Sequence, residues 1–210
     1  MGTPAYPDKG IWLVTLMPII CLFAAALQTA PAPAPAPQPK TERVAIDTDK
    51  GRFVVTVEVE RAPVTAANFL KYVDQKRLDG ITFYRTVKAG EKFGFVQFGV
   101  QNDPKRALPP IKHEPTTQTG VKHLDGAISV ARFEPGSARG DFTISVGDQP
   151  SLDADPSKPG DNLGYAAFGR VVEGMDVIYS ILNAPTQPGG HFPGQMIAQP
   201  IKVIHATRSK

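Results

Sequence analysis

The chain has 210 residues, with 23 Lys and Arg against 20 Asp and Glu and a formal charge of +3. Without Lys9, Lys40 and Asp8 of the N-terminal segment, 21 basic and 19 acidic residues remain, too even a balance for a nucleic-acid-binding surface, and no basic run is interleaved with aromatics. Cys21 is the only cysteine, so the remainder of the chain has no internal disulfide and must rest on its core.

The first forty residues read as targeting and linker segments. Lys9 precedes an apolar run from Ile11 to Leu27 that is broken only by Pro18 and carries no charge, the pattern of a secretory signal. Ala24-Ala25-Ala26 offers small residues for cleavage after Ala26. The competing reading is an uncleaved anchor that attaches the protein to a membrane, because the run is only slightly short of the ~20 residues a spanning helix needs. Both place the product outside the cytoplasm, in the periplasm. Residues 27–40 contain the Pro-Ala alternation from Pro31 to Pro37, expected to form a stiff polyproline II spacer of ~3.1 Å per residue. The folded domain is therefore predicted over residues 41–210, long enough to bury roughly two thirds of its unfolded surface as one unit.

Val44-Ala45-Ile46 and Arg52 to Glu60 read as strands joined by a turn at Asp49-Lys50-Gly51, the second with Phe53, Val55, Val57 and Val59 on one face. Pro63 and Thr65 open a helix with Ala66, Phe69, Leu70 and Val73 at helical spacing, and Thr65 is its expected N-cap. Phe83 to Val87 and Phe95 to Gly99 are dense in aromatic and β-branched residues and read as strands. Strict alternation puts Arg85 on one face with Phe83 and Val87, and Tyr84 and Thr86 on the other. Further strands are predicted at Ala127 to Arg132, Phe142 to Val146, Tyr165 to Val172 and Pro200 to Ala206, with a second helix from Met175 to Asn183 stopped by Pro185. Eight strands and two helices, without regular strand-helix alternation, predict antiparallel pairing in a sandwich or closed barrel.

Arg85 stands among apolar residues, where an arginine either lays its stem on the sheet and reaches water or serves as a fixed cation in an apolar groove. The four histidines, His113, His123, His191 and His205, fall in loops or at the final strand and read as ordinary residues. The acidic stretch Asp153 to Asp161 and the glycine-flanked Gly136 to Gly140 read as loop features, with neither calcium-loop spacing nor a phosphate-binding helix behind them. No metal and no cofactor is expected.

Several segments together resemble the cyclophilin family of peptidyl-prolyl cis/trans isomerases. They are Thr65-Ala66-Ala67-Asn68-Phe69, Gly80 to Arg85, Pro110-Ile111-Lys112-His113-Glu114, Asp125 to Arg132, and Phe168 to Asp176; the third and fourth are similar to bacterial exported members. The resemblance implies an eight-stranded antiparallel barrel capped by two helices, activity on X-Pro bonds, proline-containing polypeptides as partners and a monomer. By the motif, Arg85 matches the catalytic arginine and Gln97 the pocket glutamine, with Phe95 beside them, and Ala131 and Leu152 also match. The departures are Asp141 for a glutamine, Thr143 for the phenylalanine of the proline-pocket floor with Phe142 retained beside it, Ser151 for the tryptophan on which cyclosporin binding leans, and Tyr165 for a histidine. Asp141 is open to two readings, an ion pair with Arg85, or a carboxylate that turns to solvent or caps nearby backbone N–H groups and leaves Arg85 free. The function is correspondingly an exported isomerase, or a proline-peptide-binding or chaperone-like module with weak catalysis.

Overall fold

In a computed structural model the described residues are 1–2 and 38–209; the apolar segment, the cleavage site and residues 27–37 of the spacer lie outside them. Strands β1 (Glu42–Thr48) and β2 (Gly51–Val57) form a hairpin in which Thr48 pairs with Gly51 across a two-residue turn. The Thr48 hydroxyl donates to the Gly51 carbonyl and accepts from the Lys50 N–H, which fixes the turn locally. Helix α1 (Pro63–Asp74) follows, then β3 (Thr82–Gly90) and β4 (Phe93–Gly99). A long excursion holds the short helix α2 (Thr116–Thr119), and β5 (Ala127–Val130) and β6 (Asp141–Val146) come next. A 3-10 turn at Pro150–Leu152 precedes β7 (Ala166–Glu173), α3 (Met175–Leu182), the two-residue β8 (Thr186–Gln187) and the long β9 (Met196–Ser209).

Eight strands close into an antiparallel barrel in the order β1-β2-β7-β5-β6-β4-β3-β9, with β9 returning to β1 and β8 appended to the start of β9. Closure leaves none of the eight with a free edge. The barrel was one of the two architectures the pattern allowed, and its two long helices lie where the resemblance put them. Helix α1 packs Phe69 and Tyr72 against Phe142, while at the other opening Thr86 of β3 donates its hydroxyl to the Leu182 carbonyl of α3. Four aromatic rings, Phe69, Tyr72, Phe98 and Phe168, surround Phe142 at centroid distances of 5.1 to 5.9 Å.

Three local expectations are corrected. Thr65 is not the N-cap of α1: Ala62 occupies that position, Pro63 opens the helix, and the buried carboxylate of Glu114 supplies the cap. It accepts the Val64 N–H (3.1 Å), the Thr65 N–H (2.7 Å) and the Thr65 hydroxyl (2.7 Å), so an anion satisfies the orphan donors at the positive end of the helix dipole. Helix α2 went unpredicted because four residues are too few to show a helical period. Finally, β9 begins at Met196 rather than Pro200, and its first two residues, Met196 and Ile197, pair with Gln187 and Thr186 of β8.

Candidate active site

The site is built on the outer face of the wall formed by β3, β4, β6 and β5. Strand register sets Arg85 opposite Gln97, Gln97 opposite Thr143, and Thr143 opposite Ser129, so four polar side chains form one row across the sheet. Arg85 Nη1 donates to Gln97 Oε1 (3.1 Å), and the Thr143 and Ser129 hydroxyls are 2.8 Å apart. The apolar members of those strands, Val96, Phe98, Phe142 and Ile144, face inward and are fully buried.

Arg85 does not share a face with Phe83. The ladder pairs Phe83 with Phe98 and then Arg85 with Gln97, which leaves Tyr84 as an extra bulged residue. A bulge shifts the alternation by one residue, so Phe83 stacks on Phe98 inside the barrel while Arg85 emerges on the outer face with Val87, Phe95 and Gln97. Tyr84 stays on the cleft side and donates its hydroxyl to Asp141 Oδ1 (3.0 Å).

These residues line a cleft of about 640 Å³. Arg85, Phe95, Gln97, Ala131, Asp141 and Thr143 all border it, as do Leu152 and Tyr165. Phe142 does not: it points into the barrel among the four rings described above, because it alternates with Asp141 and Thr143 along β6. Ser151 is exposed in the 3-10 turn next to Leu152 and does not border the cleft. The far wall is held by Arg132, whose guanidinium donates to both Asp161 carboxylate oxygens and to the Gly164 carbonyl and lies 5.4 Å from the Tyr165 ring.

Three residues that the sequence reading missed complete the setting of Arg85. Tyr84 is one. Phe192 and Gln195 come from the connection between β8 and β9: the Phe192 ring centroid is 3.7 Å from Arg85 Cζ, and Gln195 Oε1 accepts from Arg85 Nε (2.8 Å). The signal for Phe192 was an isolated aromatic in a run of Gly and Pro with no core strand to join. Burial lowers the pKa of Arg85, but a guanidinium stays charged throughout the working pH range. Among the described residues no carboxylate pairs with it.

A family model described as cyclophilin type peptidyl-prolyl cis-trans isomerase/CLD matches residues 43–208. A peptidyl-prolyl cis-trans isomerase of Acinetobacter baylyi is 32% identical over 164 residues, covering 77% of this chain and 82% of that protein. The chain belongs to the cyclophilin-type peptidyl-prolyl cis-trans isomerases. The corresponding enzyme of Streptomyces antibioticus is 35% identical over 146 residues, 68% of this chain and 84% of that one. The fold is also similar to that of a Cryptosporidium parvum cyclophilin-type isomerase solved in the presence of the dipeptide Ala-Pro, with a TM-score of 0.65, 18% identity, and coverage of 80% of this chain and 99% of that one.

In this cyclophilin Asp141 takes the second of its two readings. It accepts the Gln101 N–H (3.0 Å) and the Tyr84 hydroxyl and makes no ion pair with Arg85. Gly140 permits this placement, since a side chain there would overlap the Tyr72 ring. Burial raises the Asp141 pKa above the ordinary carboxylate value, with the Gln101 and Tyr84 hydrogen bonds opposing it; burial beside Asp141 also holds the Tyr84 phenol protonated, as a donor.

A raised carboxyl pKa means the folded protein binds the proton more tightly than the unfolded chain. This contribution to stability is full below the unfolded pKa and is lost as pH rises through the folded one. Asp141→Asn is therefore expected to compare better with wild type in thermal unfolding at about pH 7 than at about pH 4, and to leave kcat/KM close to the wild-type value. A comparison that worsens towards pH 7 would show that the anion is stabilised in place.

Proposed function

We propose that this cyclophilin is an exported isomerase that accelerates X-Pro rotation in folding proteins, with Arg85 stabilising the twisted imide. Rotation about the prolyl C–N bond must cross ~18 to 20 kcal/mol because it breaks amide resonance. In the twisted state the nitrogen becomes pyramidal and carries a lone pair, so a fixed donor aimed at that nitrogen binds the twisted form better than either planar one. No covalent step is required.

The observation that carries this reading is the state of the Arg85 guanidinium. Nε and Nη1 are held by Gln195 and Gln97, while Nη2 donates to no partner among the described residues and the side chain borders the cleft. Phe95, Leu152 and Met196 supply apolar walls for a proline ring. The Ala-Pro dipeptide present with the C. parvum protein supports a proline peptide as the ligand here. Export rests on the charge-free apolar run from Ile11 to Leu27 after Lys9; monomeric action is retained as part of the proposal.

One observation favours the second reading, a peptide-binding module with weak catalysis. Thr143 presents a hydroxyl to the cleft and bonds to Ser129, where an aromatic floor would grip the ring. A protease-coupled assay on an Ala-Pro-containing peptide separates the two: the isomerase reading expects a first-order acceleration proportional to enzyme concentration. Peptide binding without acceleration would leave the binding module.

A further inference from the structure

The hairpin loop between β8 and β9 meets Arg85 in two ways. Gln195 is seated by the backbone: its carbonyl accepts the Thr86 N–H (2.9 Å), its own N–H reaches the Phe192 carbonyl (3.0 Å), and the adjacent Met196 is in register with Arg85. From that position its side-chain oxygen takes the Nε–H (2.8 Å). Phe192 lies against the guanidinium at 3.7 Å, and His191 packs edge-on against Phe192 at 4.6 Å with an interplanar angle of 82°.

We propose that Gln195 and Phe192 are positioning residues for isomerisation, a clamp supplied by the β8–β9 loop that fixes the Arg85 guanidinium with Nη2 directed at the substrate. The proposal rests on Arg85 being the catalytic donor. A guanidinium is a planar fork on a flexible stem, and one hydrogen bond to Gln97 leaves rotation about its axis open. A second acceptor at Nε removes that rotation, and a ring against the flat face restricts motion out of the plane. The chemistry of the clamp matters as much as its geometry. Both acceptors are neutral amides and the third contact is a ring face, which attracts a cation without neutralising it. A carboxylate in either position would hold the fork as firmly and cancel part of the field that the developing lone pair feels. The stem and the charge are thus set by β3, and the aim is set by a loop more than a hundred residues away in sequence.

The alternative role for a ring lying on a catalytic arginine is a lid that occupies the proline site, and the two roles predict opposite signs. If the loop aims Arg85, Gln195→Met, which keeps the side-chain length and removes the acceptor, lowers kcat about tenfold with little change in KM, the scale of losing a hydrogen bond to a charged group. Phe192→Leu lowers kcat in the same direction, and Phe192→Tyr, which keeps the ring, restores it. The Arg85 Nε–H resonance, held by Gln195 Oε1 in the wild-type protein, is expected to broaden into solvent exchange in Gln195→Met. In an Arg85→Ala background Gln195→Met has no further effect, because the residue it positions is gone. A rise in kcat/KM in Gln195→Met or Phe192→Leu overturns the proposal in favour of a lid; an equal loss in the Arg85→Ala background overturns it differently, by showing that Gln195 acts independently of Arg85. If Arg85→Ala itself retains the wild-type rate, the catalytic assignment of Arg85 fails, and that failure is visible without either loop variant.

Discussion

Arg85→Ala is expected to lower kcat/KM by about a hundredfold to a thousandfold, the ~2.7 to 4 kcal/mol typical of losing one preorganised donor to a transition state. Thermal unfolding should change little. The side chain is only partly buried, its acceptors are the neutral amides of Gln97 and Gln195, and no ion pair among the described residues is broken by its removal. Phe192 and Phe95 lose the cation beside their rings, and Phe192 keeps its edge-on contact with His191. The measurement is the protease-coupled rate together with a melting curve of the same sample. A variant with wild-type unfolding and a near-wild-type rate would remove Arg85 from the mechanism.

Phe142→Ala is expected to act in the opposite way, with a large loss of stability and a modest effect on the chemistry. The ring is fully buried and touches Phe69 and Tyr72 of α1, Phe98 of β4 and Phe168 of β7, so truncation opens a cavity where three strands and a helix meet. Deleting such a ring typically costs about 3–5 kcal/mol. For a domain of this size that lowers the melting midpoint by roughly 6–20 °C. Assayed well below that midpoint, the variant should retain far more activity than Arg85→Ala. A mild loss of stability with a large rise in KM would instead place Phe142 in the substrate cleft.

Phe142 also shows what could be read from the sequence and what was misread. The alternation in β6 carries the answer: Asp141 and Thr143 are two residues apart and face the cleft, so Phe142 between them faces the core. Matching it by family motif overrode its own periodicity. In β2 the reading succeeded where it relied on period, since Phe53, Val55 and Val57 are all buried, although the strand stops at Val57 rather than Glu60. The period failed at Tyr84, because a bulge leaves no mark in composition and reverses every facing assignment across it. Long-range caps are equally silent: nothing near Pro63 announces that Glu114, about fifty positions on, will cap α1.

The cleft was legible to the extent that it lies on regular strands. Arg85, Gln97 and Thr143 are brought into one row by ladder register, so these three motif matches border one cleft, while Phe142 on the same strand as Thr143 does not. What escaped was the contribution of the β8–β9 loop, where Pro188, Gly189, Gly190, Pro193 and Gly194 erase any period and only the tertiary pairing of Met196 with Arg85 reveals the position of Gln195 and Phe192. The Asp141 alternatives were likewise undecidable from residue type, because the choice depends on Gly140 bringing the strand close to Tyr72 and on the Gln101 N–H being within reach.

On the proposed mechanism Arg85 promotes rotation of a bound X-Pro bond rather than merely helping to hold the peptide. Exchange spectroscopy on an Ala-Pro peptide in the presence of the protein tests it most directly, because binding and rotation are read from the same spectra. The free peptide interconverts over tens to hundreds of seconds, so exchange peaks at sub-second mixing times report catalysis. Such cis/trans cross-peaks are expected with the wild-type protein, and with Arg85→Ala peptide resonances that still shift on binding but show no cross-peaks. Cross-peaks of wild-type intensity in Arg85→Ala would contradict it.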